Sequence, residues 1–163
     1  MFGMFKKEKN TEIISPINGT AMKLENVADK VFADKMMGDG VAIRYTGGNV
    51  YAPVTGEIVA VVPSNHAFGI KADSGVEVLV HVGLDTVNLK DGVFKTTIGM
   101  GDKVQQGDVI IEVNETLLFG SNLDLSTPVI LTNGMEFDIN ELKITDGQEV
   151  IAKESLLYTV KSK

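Results

Sequence analysis

His66 and His81 are the two histidines of the chain, and both fall in the short stretch NHAFGIKADSGVEVLVH, residues 65–81. Imidazole is the side chain whose charge ordinarily changes near neutrality. Two of them held together support three chemistries: structural hydrogen bonding, metal ligation, or group transfer, in which one neutral ring attacks and its neighbour hydrogen-bonds the developing anion. Zinc needs more than two imidazoles, so a zinc site on His66 and His81 would borrow a carboxylate from a partner molecule. Mutual repulsion opposes double protonation, so such a pair can share one proton near neutrality. That suits the carriage of a phosphoryl group. The chain has no GxxxxGK[ST] loop and no Mg²⁺-binding constellation, which excludes a nucleoside triphosphate as the direct donor.

The elements that carry the histidines are strands. Around the first, Ala67, Gly69 and Lys71 alternate with His66, Phe68 and Ile70; around the second, Val76, Val78, Val80 and Val82 alternate with Glu77, Leu79 and His81. Between them Ala72-Asp73-Ser74-Gly75 is a turn signal. A loop centred between Asp73 and Ser74 sets His66 directly opposite His81, with Cβ atoms roughly 5 Å apart. A three-residue loop with Gly75 as a bulge moves the pairing by one and sets Ala67 opposite His81. Turn chemistry alone leaves both registers open.

The rest of the chain reads the same way. Runs rich in Val and Ile, such as VAIRYTGGNVYAPVTGEIVAVVP, KVQQGDVIIEV and TPVILTNG, are broken by Gly, Pro, Asn and Asp. The expected fold is all-β, an antiparallel β-sandwich or distorted barrel, with short helical turns in NETLLFGSNLDL and VADKVFADKMMG. Ser15-Pro16-Ile17-Asn18-Gly19 is echoed by Ala52-Pro53-Val54-Thr55-Gly56, and residues 101–108 loosely by 146–150. Length and 44% hydrophobic composition suit one compact domain over residues 12–163, preceded by a loose, slightly basic tail over residues 1–11. No apolar run reaches the length of a membrane span, and MFGMFKKEKN lacks the features of a signal peptide, so the chain reads as soluble and cytoplasmic. With no cysteine there are no disulfides and no thiolate metal sites. A formal net charge of −7 argues against nucleic acid and for a partner with a basic face.

Ala21-Met22-Lys23-Leu24 resembles the lysine motif of biotin carrier domains, and GDKVQQGDVIIEV the strand that leads into it. The order is wrong for such a carrier, because that strand runs on into Asn114-Glu115-Thr116-Leu117 without a lysine. Lys23 therefore reads as an exposed strand residue. A second resemblance is more specific. Ser64-Asn65-His66-Ala67-Phe68, Asp73-Ser74-Gly75 and above all His81-Val82-Gly83-Leu84-Asp85-Thr86-Val87 resemble the glucose-type enzyme IIA of the bacterial phosphoenolpyruvate-dependent sugar phosphotransferase system. Residues 31–43, 52–56, 101–104 and 126–129 extend the likeness in family-like order, over roughly residues 12–161.

The resemblance implies an antiparallel sandwich with the rings side by side in a shallow apolar depression, which agrees with the directly opposed register. It implies that His81 is phosphorylated through Nε2 while a carbonyl near Gly83 holds its Nδ1–H. His66 is then the partner that hydrogen-bonds the phosphoryl group, and Ser64 stands where a threonine usually orients that partner. Phe32, Val62, Leu79 and Val82 match apolar positions around the histidines. Asp29 and Asp85 match acidic positions that face a basic donor. The implied donor is the histidine-containing phosphocarrier protein, and the acceptor a IIB domain of a membrane sugar permease, reached transiently at the membrane; no cofactor is needed. The alternatives are a phosphorylation-switched module binding regulatory targets and a zinc-bridged adaptor on the same histidine face.

Overall fold

The computed structural model describes residues 10–89 and 91–163; the expected tail lies outside them except for Asn10 and Thr11, and Thr11 already belongs to a strand. Along the chain come β1 (Thr11–Ile14), β2 (Asn18–Lys23), a 3-10 turn (Leu24–Asn26), α1 (Lys30–Ala33), β3 (Asp39–Gly47), β4 (Val50–Tyr51), β5 (Gly56–Val61), β6 (Ala67–Ala72) and β7 (Glu77–His81). A second 3-10 turn (Thr86–Asn88) precedes β8 (Phe94–Lys95), β9 (Lys103–Val104), β10 (Val109–Val113) and α2 (Glu115–Gly120). The chain continues through β11 (Ser126–Leu131), β12 (Phe137–Leu142), β13 (Glu149–Val150) and β14 (Leu156–Ser162). Every pairing is antiparallel. An eight-stranded sheet in the order β13-β2-β3-β11-β7-β6-β5-β9 is accompanied by two three-stranded sheets, β1-β14-β12 and β4-β10-β8, and none closes into a barrel. Both predicted helical stretches form, as α1 and α2.

The large sheet buries both faces at its centre, which is why β11 is buried without alternation. Val41, Ile43, Phe68, Ile70, Val78, Val80 and Val129 face the main core, which Ile13, Ile111, Leu157 and Tyr158 complete from the smaller sheets and their flanks. The opposite face carries a smaller cluster of Ala42 and Ile130 under Leu24, Val27, Phe32 and Leu84, with Leu79 packed against it. His81 shares the parity of Leu79 and therefore belongs to this second face.

The sequence echo is a structural duplication. Pro16 O accepts from Tyr51 N at 2.8 Å and Pro53 O accepts from Ile14 N at 3.1 Å, so the two proline loops hold each other. Gly19 pairs with Val150 as Gly56 pairs with Val104. Lys23, at the end of β2, is exposed.

Candidate functional site

The hairpin that carries the histidines takes the three-residue loop. Ala67 lies opposite His81, Phe68 opposite Val80 and Ile70 opposite Val78, one position away from the directly opposed register that the resemblance favoured. Gly75 explains the choice: it sits at φ +98°, in the left-handed region that glycine enters without strain, and its N–H donates to Ala72 O at 2.9 Å. The same register sets Phe68 and Ile70 against valines on the core face and leaves Glu77 outside.

The two rings nevertheless meet. Asn65 adopts φ +60°, and its N–H closes on Val62 O at 2.9 Å, so the chain turns sharply just before β6. This releases His66 from strand alternation. Its backbone O still accepts from Val82 N at 2.7 Å, while its side chain reaches the outer face. The rings lie edge to face, with centroids 4.8 Å apart and planes at 79°. Phe32 of α1 packs on the other side of His81 at 5.1 Å between centroids.

On His81, Nδ1 lies 2.8 Å from Gly83 O. A carbonyl can only accept, so the neutral ring carries its proton on Nδ1 and keeps a lone pair on Nε2. Burial lowers the pKa of His81 and favours that neutral form, opposed by the Gly83 carbonyl and the charge of Asp29. His66 is only 6% exposed; burial, with a smaller push from His81, lowers its pKa to about 4. Its Nδ1 lies 2.5 Å from Ser64 Oγ. Both shifts favour the uncharged rings, and the Nδ1 of each is engaged by a neighbour.

Gly83 itself is forced. It adopts φ +72°, and a Cβ there would come within 2.8 Å of Thr86 Cγ2. Proline at 128 helps to end the ladder here. β11 pairs with β7 from Val129 opposite Val80 onward, so continuing the register would set Pro128, which has no N–H, opposite His81.

The remaining predicted residues divide. Phe32 and Leu79 belong to the second-face cluster, and Val62 is half-buried at the Ser64-Asn65 turn. Val82 corrects the expectation of a contact residue: it is 0% exposed and lies in the main core. By parity it must, because Val78, Val80 and Val82 point away from His81. Asp29 caps α1, its Oδ1 accepting from Val31 N at 2.8 Å. Asp85 is exposed at φ +59°, and its side chain caps nothing. Sequence reasoning passed over Val31, Met36, Met37 and Val87, exposed apolar residues on or beside the short elements that follow Asp29 and Asp85. Their signal was apolar side chains in segments too short to hide them.

Neither histidine lines the cavity of about 570 Å³ beside β2 and β12 or the one of about 270 Å³ behind Ser64 and Asn65. Among the described residues no group of three or more His, Cys, Asp or Glu could hold a metal ion. Among them, too, no helix is long and apolar enough to cross a membrane.

An open antiparallel sheet with two edge-to-face imidazoles on one face, apart from both cavities, defines a class of protein that carries its histidines on a sheet face rather than inside a pocket. Comparison with known proteins narrows the class. Residues 11–137 match the family model described as phosphoenolpyruvate-dependent sugar phosphotransferase system, EIIA 1. The glucose-specific EIIA component of Halalkalibacterium halodurans is 42% identical over 99% of this chain and 96% of its own length. That of Staphylococcus aureus is 40% identical over 98% and 96%. The beta-glucoside-specific EIIBCA component of Dickeya chrysanthemi is 40% identical over 79% of this chain but only 20% of its own length. The solved structure of glucose permease IIA from Mycoplasma capricolum superposes with a TM-score of 0.82 at 32% identity, covering 96% of this chain and 99% of that one.

The chain belongs to the EIIA family of the phosphoenolpyruvate-dependent sugar phosphotransferase system. It is a phosphocarrier, a transferase component that carries phosphoryl groups within that system. Membership does not favour the zinc-bridged adaptor or the purely regulatory module.

Proposed function

We propose that His81 is the phosphoryl acceptor and that it works through Nε2. The observation that carries the reading is the Nδ1 contact with the Gly83 carbonyl, which leaves the Nε2 lone pair as the nucleophile. In the transfer, a new bond forms between Nε2 and phosphorus as the nitrogen–phosphorus bond of the donor phosphohistidine breaks. The donor ring keeps that electron pair, and the Nδ1 proton of His81 stays in place. His66 stabilises the transferred group: with the Ser64 hydroxyl donating to its Nδ1, its proton resides on Nε2, free to bond a phosphoryl oxygen. Catalysis then rests on positioning and fixed dipoles, without a metal.

The donor is the histidine-containing phosphocarrier protein and the acceptor a IIB domain of a glucose-class permease, met at the cytoplasmic side of the membrane. A shallow face suits such partners better than a small sugar does. Asp85, together with the charge of Asp29, gives that face the sign that a basic donor requires. Phe32 and Leu79 underlie it, and Val62 flanks the turn that presents His66.

Intact mass after incubation with phosphoenolpyruvate, enzyme I and the histidine phosphocarrier tests the assignment. Wild type and His66→Ala should each gain one acid-labile phosphoryl group, and His81→Ala none. A phosphoryl group retained on His81→Ala would remove His81 from the role.

A further inference from the structure

Two buried threonines hold the peptide next to the carbonyl that fixes the His81 tautomer. Gly83 O belongs to the peptide unit that also contains Leu84 N–H, and that N–H donates to Asp124 O at 2.8 Å. In a trans peptide the two groups point in opposite directions, so anchoring one aims the other. The preceding unit, Val82 C=O with Gly83 N–H, is held at both ends by side chains. Thr86 Oγ1 donates to Val82 O at 2.7 Å, and Gly83 N–H donates to Thr127 Oγ1 at 3.3 Å. Thr127 Oγ1 spends its own proton on Leu125 O at 3.1 Å, so it faces Gly83 as an acceptor. Thr127 and Thr86 are 0% and 1% exposed, and no water can replace either hydroxyl without opening the core. Gly83 is the flexible joint in this loop, since glycine alone would let both peptide planes rotate.

We propose that Thr127 and Thr86 are positioning residues for phosphoryl transfer: by clamping both ends of the peptide that precedes Gly83, while Asp124 O holds the one that follows, they keep the Gly83 carbonyl on His81 Nδ1 and so keep Nε2 unprotonated. The proposal rests on His81 as the acceptor, yet its first readout does not. Long-range proton–nitrogen NMR of the unphosphorylated protein reports the His81 tautomer directly. Wild type should show a single Nδ1–H form, whereas Thr127→Val and Thr86→Val, which keep shape and lose the hydroxyl, should show mixed tautomers. Their phosphoryl-transfer rates should fall at least about tenfold, well inside the ~10⁴ that a wrong tautomer costs a catalytic triad. Thr127→Ser and Thr86→Ser should restore both. Should a valine variant not fold, Thr127→Cys, with a weak acceptor of similar size, takes its place. Folded variants with one Nδ1–H tautomer and transfer within twofold of wild type would overturn the proposal. Failure of wild type to accept a phosphoryl group would instead remove the acceptor reading and leave the tautomer result standing by itself.

Discussion

Acid should unlock this site through His66 before most carboxylates respond. The unfolded ring takes up its proton at about pH 6.5, but burial and the neighbouring His81 lower the pKa in the fold to about 4. A lowered histidine pKa means that the unfolded chain binds the proton more readily. The stability from the neutral ring is therefore complete above about pH 6.5 and is lost as the pH falls towards 4. Integrated from about pH 8 down to about pH 5, that difference amounts to about 2 kcal/mol from His66 alone. With a urea slope of roughly 2 kcal/mol per molar, the midpoint should drop by about 1 M over that interval. Urea titrations of wild type and His66→Gln at the two pH values isolate the effect, because the glutamine variant keeps every other titrating group. The lowered pKa of His81 acts in the same direction in both proteins and cancels to first order. If both proteins lost equal stability, or if NMR titration placed the His66 pKa near 6.5, the buried, desolvated picture of the second ring would be wrong.

Two further outcomes follow from the same geometry. Asp29→Asn keeps an oxygen to cap α1 but removes the charge that raises the His81 pKa, so His81 should titrate lower than in wild type; an unchanged or higher value in an NMR titration would refute the coupling. Val82→Ala should cost about 1–3 kcal/mol in denaturant unfolding and leave the KM for the phosphorylated donor unchanged, while Leu79→Ala should raise that KM; the reverse pattern would show that Val82 reaches the docking face after all.

Strand content and antiparallel pairing were legible in the sequence because each depends on local signals. Alternating valines mark β7, and Ser64-Asn65 marks the turn. The hairpin register was misjudged. Turn chemistry left two registers open and the resemblance favoured direct opposition, whereas the apolar alternation carried the better signal: only the Ala67–His81 pairing sets Phe68 and Ile70 against Val80 and Val78. Direct opposition would have set Ile70 against Glu77. The same alternation places Val82 in the core, and reading outward from His81 by parity would have shown it. How His66 returns to the outer face was missed, because the turn at Ser64-Asn65 does not by itself show that Asn65 is left-handed. Nor could the threonine clamp be found, since Thr127 comes from a strand 44 residues away from Gly83.

The pairing of Thr11 with Val160 brings β1 beside β14, within the sheet that packs on the main core. His81 stands on the other face of the large sheet. Anything joined to the chain at either of these strands would therefore depart from one spot, behind the histidines. A tether starting from either strand begins on the side away from His81, and its length, rather than its point of attachment, sets how often the face that carries His81 meets a neighbouring domain.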